Sequence, residues 1–144
     1  MIKPVGSDEL LPLFVYDPDR HHELMREAET LPSVVISSQA AGNAVMMGGG
    51  YFSPLPGFMN VADAVSVAET MRTTDGMFFP VPVLCLLEGT GAIGDAKRIA
   101  LRDPNMEGNP VIAIMDVDAV EEVSDAQMAR MTEKVYRTAD PEHP

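Results

Sequence analysis

The residues Gly89-Thr90-Gly91-Ala92-Ile93-Gly94 have the G-x-G-x-x-G spacing that lets a backbone close on a pyrophosphate at the start of a helix. That chemistry needs a helix directly after the glycines. Only eight residues lie between Gly94 and Asp103-Pro104, and Ile99 and Leu101 alternate with Arg98, Ala100 and Arg102 in strand fashion, so the segment reads as a loop. Gly48-Gly49-Gly50 could likewise cradle an anion, but a phosphate loop carries Lys-Ser/Thr after its last glycine, and Tyr51-Phe52 stands there. A helix C-cap is the better reading. His21-His22 are adjacent, whereas two ligands on a helix belong at i, i+3 or i+4, so both are assigned to the surface. Asp116, Asp118, Glu121 and Glu122 lack the glycine-punctuated spacing of a calcium loop and read as a solvated acidic rim.

The one cysteine, Cys85, sits in the apolar run Val81 to Leu87 with no histidine near it, which points to a buried neutral thiol and a reducing compartment. No Gly-x-Ser-x-Gly elbow is present. No catalytic, cofactor-binding or metal-ligating residue is therefore assigned.

Charge narrows the classes further. Twenty-two acidic against ten basic side chains give a formal net charge of −12 over 144 residues. Polyanions such as nucleic acid or an anionic membrane surface would be repelled at long range. The basic side chains closest together are Lys97, Arg98 and Arg102. The first fifteen residues include Asp8 and Glu9 and lack the basic and apolar regions of a signal peptide, and no apolar run approaches 18 residues, so a cytoplasmic chain is expected. The length suits one domain with its own core.

The elements that would position these residues are short. Pro4, Gly6 and Pro12 keep Ile2 to Tyr16 irregular. Asp17-Pro18 opens a helix running to about Leu31, with Leu24, Ala28 and Leu31 inward. Val34-Val35-Ile36 is a strand. Ser37 or Ser38 then caps a helix through Ala40, Ala41, Ala44 and Val45, closed by the three glycines. Tyr51 to Met59 carries three aromatics on a proline-stiffened loop, and Asn60 caps a helix with Val61, Val65, Ala68 and Met71 inward. Met77 to Leu87, broken by Pro80 and Pro82, reads as an edge or bulged strand. Arg98 to Arg102 and Val111 to Val117 form a hairpin with a longer loop. Ser124 and Gln127 form a capping box for a helix to Tyr136, with Met128, Met131 and Val135 inward. Met25 and Met71 are assigned to the core with Met128 and Met131. The class is α+β, with a small twisted sheet or partial barrel.

Gly48-Gly49-Gly50-Tyr51-Phe52-Ser53-Pro54-Leu55-Pro56-Gly57-Phe58-Met59-Asn60 resembles the "GGF-SPL-GFM" segment of the ATP sulfurylase (sulfate adenylyltransferase) family. Matches follow in the family's order at Thr74-Asp75-Gly76, Phe79 to Val83, Arg98 to Pro104, Asn109 to Val117 and Val135 to Pro144. The resemblance covers nearly the whole chain and is closest to enzymes of bacterial and archaeal dissimilatory sulfur metabolism.

It implies a PUA-like N-terminal domain over 1–137, a small β pseudo-barrel with flanking helices, and a linker from 138–144 toward a catalytic domain. The family joins sulfate to the α-phosphate of ATP with magnesium, giving adenosine 5′-phosphosulfate and pyrophosphate, or runs in reverse. Its Gln-x-Arg-Asn-Pro-x-His-x-x-His signature has no counterpart here. The resemblance thus implies a scaffolding domain, inactive alone, whose partners are its own catalytic domain and further copies of the enzyme. ATP and magnesium are implied for the whole enzyme and neither for this chain. The Tyr51 to Asn60 loop is expected either to reach a partner or to fill the domain's own core. The rival reading is a stand-alone PUA-like module contacting RNA, which would need a basic face.

Overall fold

The computed structural model describes residues 7–89, 91–138 and 140. The expected linker at 138–144 lies almost wholly outside them. Two units emerge: Met1–Gly57 with Cys85–Val120, and Phe58–Leu84 with Glu121–Pro144.

The first unit holds a three-stranded sheet in the order β1 (Ser33–Val35), β2 (Arg98–Arg102), β3 (Val111–Asp116). β1 runs parallel to β2, pairing Ser33 with Ala100 and Val35 with Arg102. β2 and β3 form the expected antiparallel hairpin, Arg98 opposite Asp116 and Leu101 opposite Ala113, with a bulge between Leu101 and Arg102. Ile99, Ala100 and Leu101 are almost fully buried, so the central strand carries the core. The sheet is open rather than a closed barrel.

Two helices flank it. α1 (Pro18–Ala28) is capped by Asp17, whose side chain accepts from the Arg20 N–H at 2.7 Å, with proline at its start. It ends three residues before Leu31, where the Thr30 N–H and hydroxyl both turn back to the Glu27 carbonyl. α2 (Ser38–Gly48) is capped by Ser37. Its buried positions are Ala40, Ala41, Met47 and Gly48, while Val45 is exposed.

In the second unit α3 (Val61–Thr70) packs against α4 (Asp125–Tyr136), with Arg130 and Glu69 ion-paired across them. Asn60 caps α3, and Ser124 and Gln127 make the full capping box on α4. Met131 is buried as expected. The inward face of α3 is Val61, Ala64 and Val67 instead of Val61, Val65, Ala68 and Met71. Met71 leaves the helix in a left-handed conformation, φ 56°, which carries its side chain into solvent. Met25 is exposed as well and Met128 half-buried, so of the four methionines assigned to the core Met131 alone is buried.

No strand forms over Met77 to Leu87; its one pairing is an isolated bridge between Phe78 and Arg72. Pro80 and Pro82 remove two ladder donors from a short segment, and burial at Phe79 and Val83 holds it instead.

Candidate functional site

The three glycines end α2 and then receive another part of the chain. Gly49 is the C-cap, its N–H turned back to the Val45 and Met47 carbonyls, and Gly50 follows at φ +79°. The Leu13 and Phe14 amides both donate to the Gly48 carbonyl, at 2.9 and 3.0 Å. The Leu11 amide donates to Ser53 Oγ at 2.7 Å, and that hydroxyl donates onward to the Gly50 carbonyl at 2.6 Å. The glycines fit this role because the approach is close. A Cβ on Gly50 would stand 3.2 Å from the Pro12 nitrogen, and one on Gly48 would enter the Phe14 ring. The C-cap reading of Gly48 to Gly50 holds, and sequence reasoning missed what the cap supports.

That support leaves an apolar ridge. Leu10, Leu11, Leu13, Phe14, Val15 and Tyr16 are 39–77% exposed, as is Tyr51 beside them at 76%. Phe14 and Tyr16 meet edge to face, their ring centroids 6.3 Å apart. The ridge is bounded by Asp8 and Glu9 before it and Asp17 and Asp19 after it. The available signal was seven consecutive residues without a charge, Leu10 to Tyr16, between two acidic pairs. Of the aromatic loop, Leu55 and Met59 are buried and Phe52 and Phe58 half-buried, so its side chains turn largely inward.

An open groove of about 460 Å³ runs along α2, lined by Ser38, Ala41, Gly42, Val45 and Met46 and by Asp103 and Asn105 opposite. Its polar groups satisfy one another. Ser38 Oγ donates to Asn105 Oδ1 at 2.6 Å, and Asp103 Oδ1 accepts from the Asn105 amide at 2.8 Å.

The other singled-out residues do not converge. Gly91 to Asp95 form a turn with no helix after it, as the loop reading requires; Thr90 lies outside the described residues. His21 and His22 are exposed on α1. Two members of the expected acidic rim have structural tasks: Asp116 pairs with Arg98, and Glu121 Oε2 accepts from the Val61 amide at 3.0 Å, supporting the Asn60 cap. Arg98 also pairs with Glu27, and Arg102 donates to Ser33 Oγ and the Asn109 carbonyl at 3.0 and 3.1 Å, so the basic trio is largely engaged. Cys85 is half-buried and lies outside any strand; burial pushes its thiol pKa up, consistent with a neutral thiol. Among the described residues no three His, Cys, Asp or Glu side chains group as metal ligands. None of their helices is long and apolar enough to cross a membrane.

The family model described as PUA-like domain matches residues 2–144. A sulfate adenylyltransferase of Allochromatium vinosum is 74% identical over the whole chain, which spans 36% of that protein. One from the sulfur-oxidizing endosymbiont of Riftia pachyptila is 70% identical over 99% of the chain and 32% of its own length. One from Alcanivorax borkumensis is 60% identical over the whole chain and 36% of its length. The chain thus spans about a third of these relatives. Among solved structures, one titled hexameric APS kinase from Thiobacillus denitrificans is similar with a TM-score of 0.68 at 30% identity, over 87% of this chain and 24% of that one.

Proposed function

The chain belongs to the PUA-like domain family, and from that premise we propose that it is the N-terminal, non-catalytic domain of a sulfate adenylyltransferase, the enzyme that makes adenosine 5′-phosphosulfate and pyrophosphate from ATP and sulfate or reverses that reaction. The observation that carries this reading is identity of 74% across all 144 residues with a relative of which they form 36%. Its physical complement is charge: holding sulfate in line with an α-phosphate needs convergent cations, and a domain of net charge −12 whose Arg98 and Arg102 are engaged does not supply them.

ATP and magnesium belong, on this reading, to the catalytic part. The described residues do not fit them: no metal-ligand group assembles, and the glycine-rich turn opens no helix. The domain's work is packing on its own catalytic domain within an oligomer, the latter supported by the similarity to a hexameric APS kinase. We place it in the cytoplasm, away from nucleic acid and membrane, on the strength of its acidity and lone thiol.

The test is a chimera in which this chain replaces the matching third of the Allochromatium vinosum relative, assayed for ATP formation from adenosine 5′-phosphosulfate and pyrophosphate. The chimera turns over and the isolated chain does not. An inactive chimera beside an active parent, or turnover by the isolated chain, overturns the assignment.

A further inference from the structure

Resting on that assignment, we propose that the Leu10–Tyr16 ridge with Tyr51 is the surface that docks on the catalytic part of the enzyme, into an apolar groove rimmed by basic side chains. Two features of the ridge suit it to an interface. Its side chains are uncharged over seven consecutive positions and stand in solvent, where a lone domain seldom keeps contiguous apolar surface. Its backbone is already fixed, by the Leu13 and Phe14 amides on Gly48 and the Leu11 amide on Ser53, so little ordering remains to be done on docking.

The occupant follows from charge and length. Asp8 and Glu9 on one side and Asp17 and Asp19 on the other frame the ridge with negative charge. A second copy of this chain, itself at −12, would set like against like. The part of a sulfate adenylyltransferase that holds ATP, sulfate and pyrophosphate must be rich in cations, and about two-thirds of the relatives' length lies beyond the stretch this chain matches. An apolar ridge framed by acids complements a cationic partner with an apolar centre.

Hydroxyl-radical footprinting of the isolated chain and of the chimera tests this. Oxidation of Leu10, Leu11, Val15 and Tyr16 falls at least about fivefold in the chimera, because a docked side chain loses most of its contact with solvent. Met106 and Val120, apolar, exposed and not part of the ridge, serve as controls and stay labelled. Leu10→Asp with Tyr16→Asp, both at exposed positions, restores labelling of Leu11 and Val15, and Asp8→Lys with Glu9→Lys and Asp19→Lys weakens the protection. An active chimera whose ridge is labelled as in the isolated chain overturns the docking surface and leaves the assignment standing. An inactive chimera beside an active parent overturns both. Protection already present in the isolated chain, whether it rises with concentration or not, shows a different occupant and overturns the proposal.

Discussion

The Phe14 ring lies where a side chain on Gly48 would stand: a Cβ there would be 2.6 Å from Phe14 Cδ1, and the Phe14 amide donates to the Gly48 carbonyl at 3.0 Å. The helix end and the N-terminal ridge are thus one structural feature. Gly48 and Gly50 serve it differently.

At Gly48 the obstacle is an exposed ring that can swing aside, and alanine gains about 1 kcal/mol over glycine within a helix. Gly48→Ala is expected to change stability by less than about 1 kcal/mol while displacing Phe14. At Gly50 the obstacle is the Pro12 backbone, and φ is +79°. Gly50→Ala should cost about 1–3 kcal/mol, since the strained conformation and the close approach both oppose a Cβ. Urea melts of the two variants check the contrast, and equal losses would refute it.

Arg98 ties α1 and β3 to the central strand through Glu27 and Asp116. Its Nε is buried and 2.7 Å from Asp116 Oδ1 without the aim of a hydrogen bond, so that contact is ionic. Glu27 and Arg98 are partly exposed and Asp116 largely so, which keeps the contribution small. Arg98→Met is expected to destabilise by about 1 kcal/mol, and less in about 1 M salt, where the screening length falls to about 3 Å. Thermal melts at two salt concentrations measure this.

What could be read from the residues was whatever a few neighbours decide. Asp17-Pro18, Ser37, Asn60 and Ser124 with Gln127 start their helices as expected because a cap is a bond across three residues. The β2–β3 hairpin was equally local. The parallel pairing of Ser33 with Ala100 joins segments 67 positions apart, with no nearby signal. Val65 and Met71 fit a helical stripe as well as Ala64 and Val67 do, and packing on α4 chose between them. The ridge was visible only as an irregular stretch, because its exposure depends on Gly48 to Gly50 lying beneath it.

Asp75 is held below the ordinary carboxylate value of 3.8, first by the Thr73 hydroxyl and then by the Met77 amide. A carboxylate with a lowered folded pKa adds stability above its unfolded value, and loses it as pH falls through the folded one. Thr73→Val removes the main donor, so Asp75 should titrate closer to 3.8 by carboxyl NMR. The buried Thr73 hydroxyl also accepts from the Met77 amide at 3.0 Å, so the variant is less stable at neutral pH by about 1–3 kcal/mol. An unchanged Asp75 titration would separate the carboxylate from that hydroxyl.

Cys85 makes the opposite prediction at alkaline pH. Burial disfavours its thiolate and raises the folded pKa above the ordinary 9.0, with desolvation the sole cause. A raised folded pKa adds stability that is fully present below the unfolded value and is lost as pH rises through the folded one. The native thiol should therefore react with iodoacetamide more slowly than a free one at pH near 8, because the thiolate is the nucleophile. Its rate profile should have a midpoint above 9.0 that drops on denaturation, when the thiol regains water. Stability should decline over the same alkaline range, and Cys85→Ser should flatten that decline, since a hydroxyl does not ionise there. A native midpoint at or below that of the denatured chain would show that the thiolate has a stabilising partner, and that burial does not govern the site.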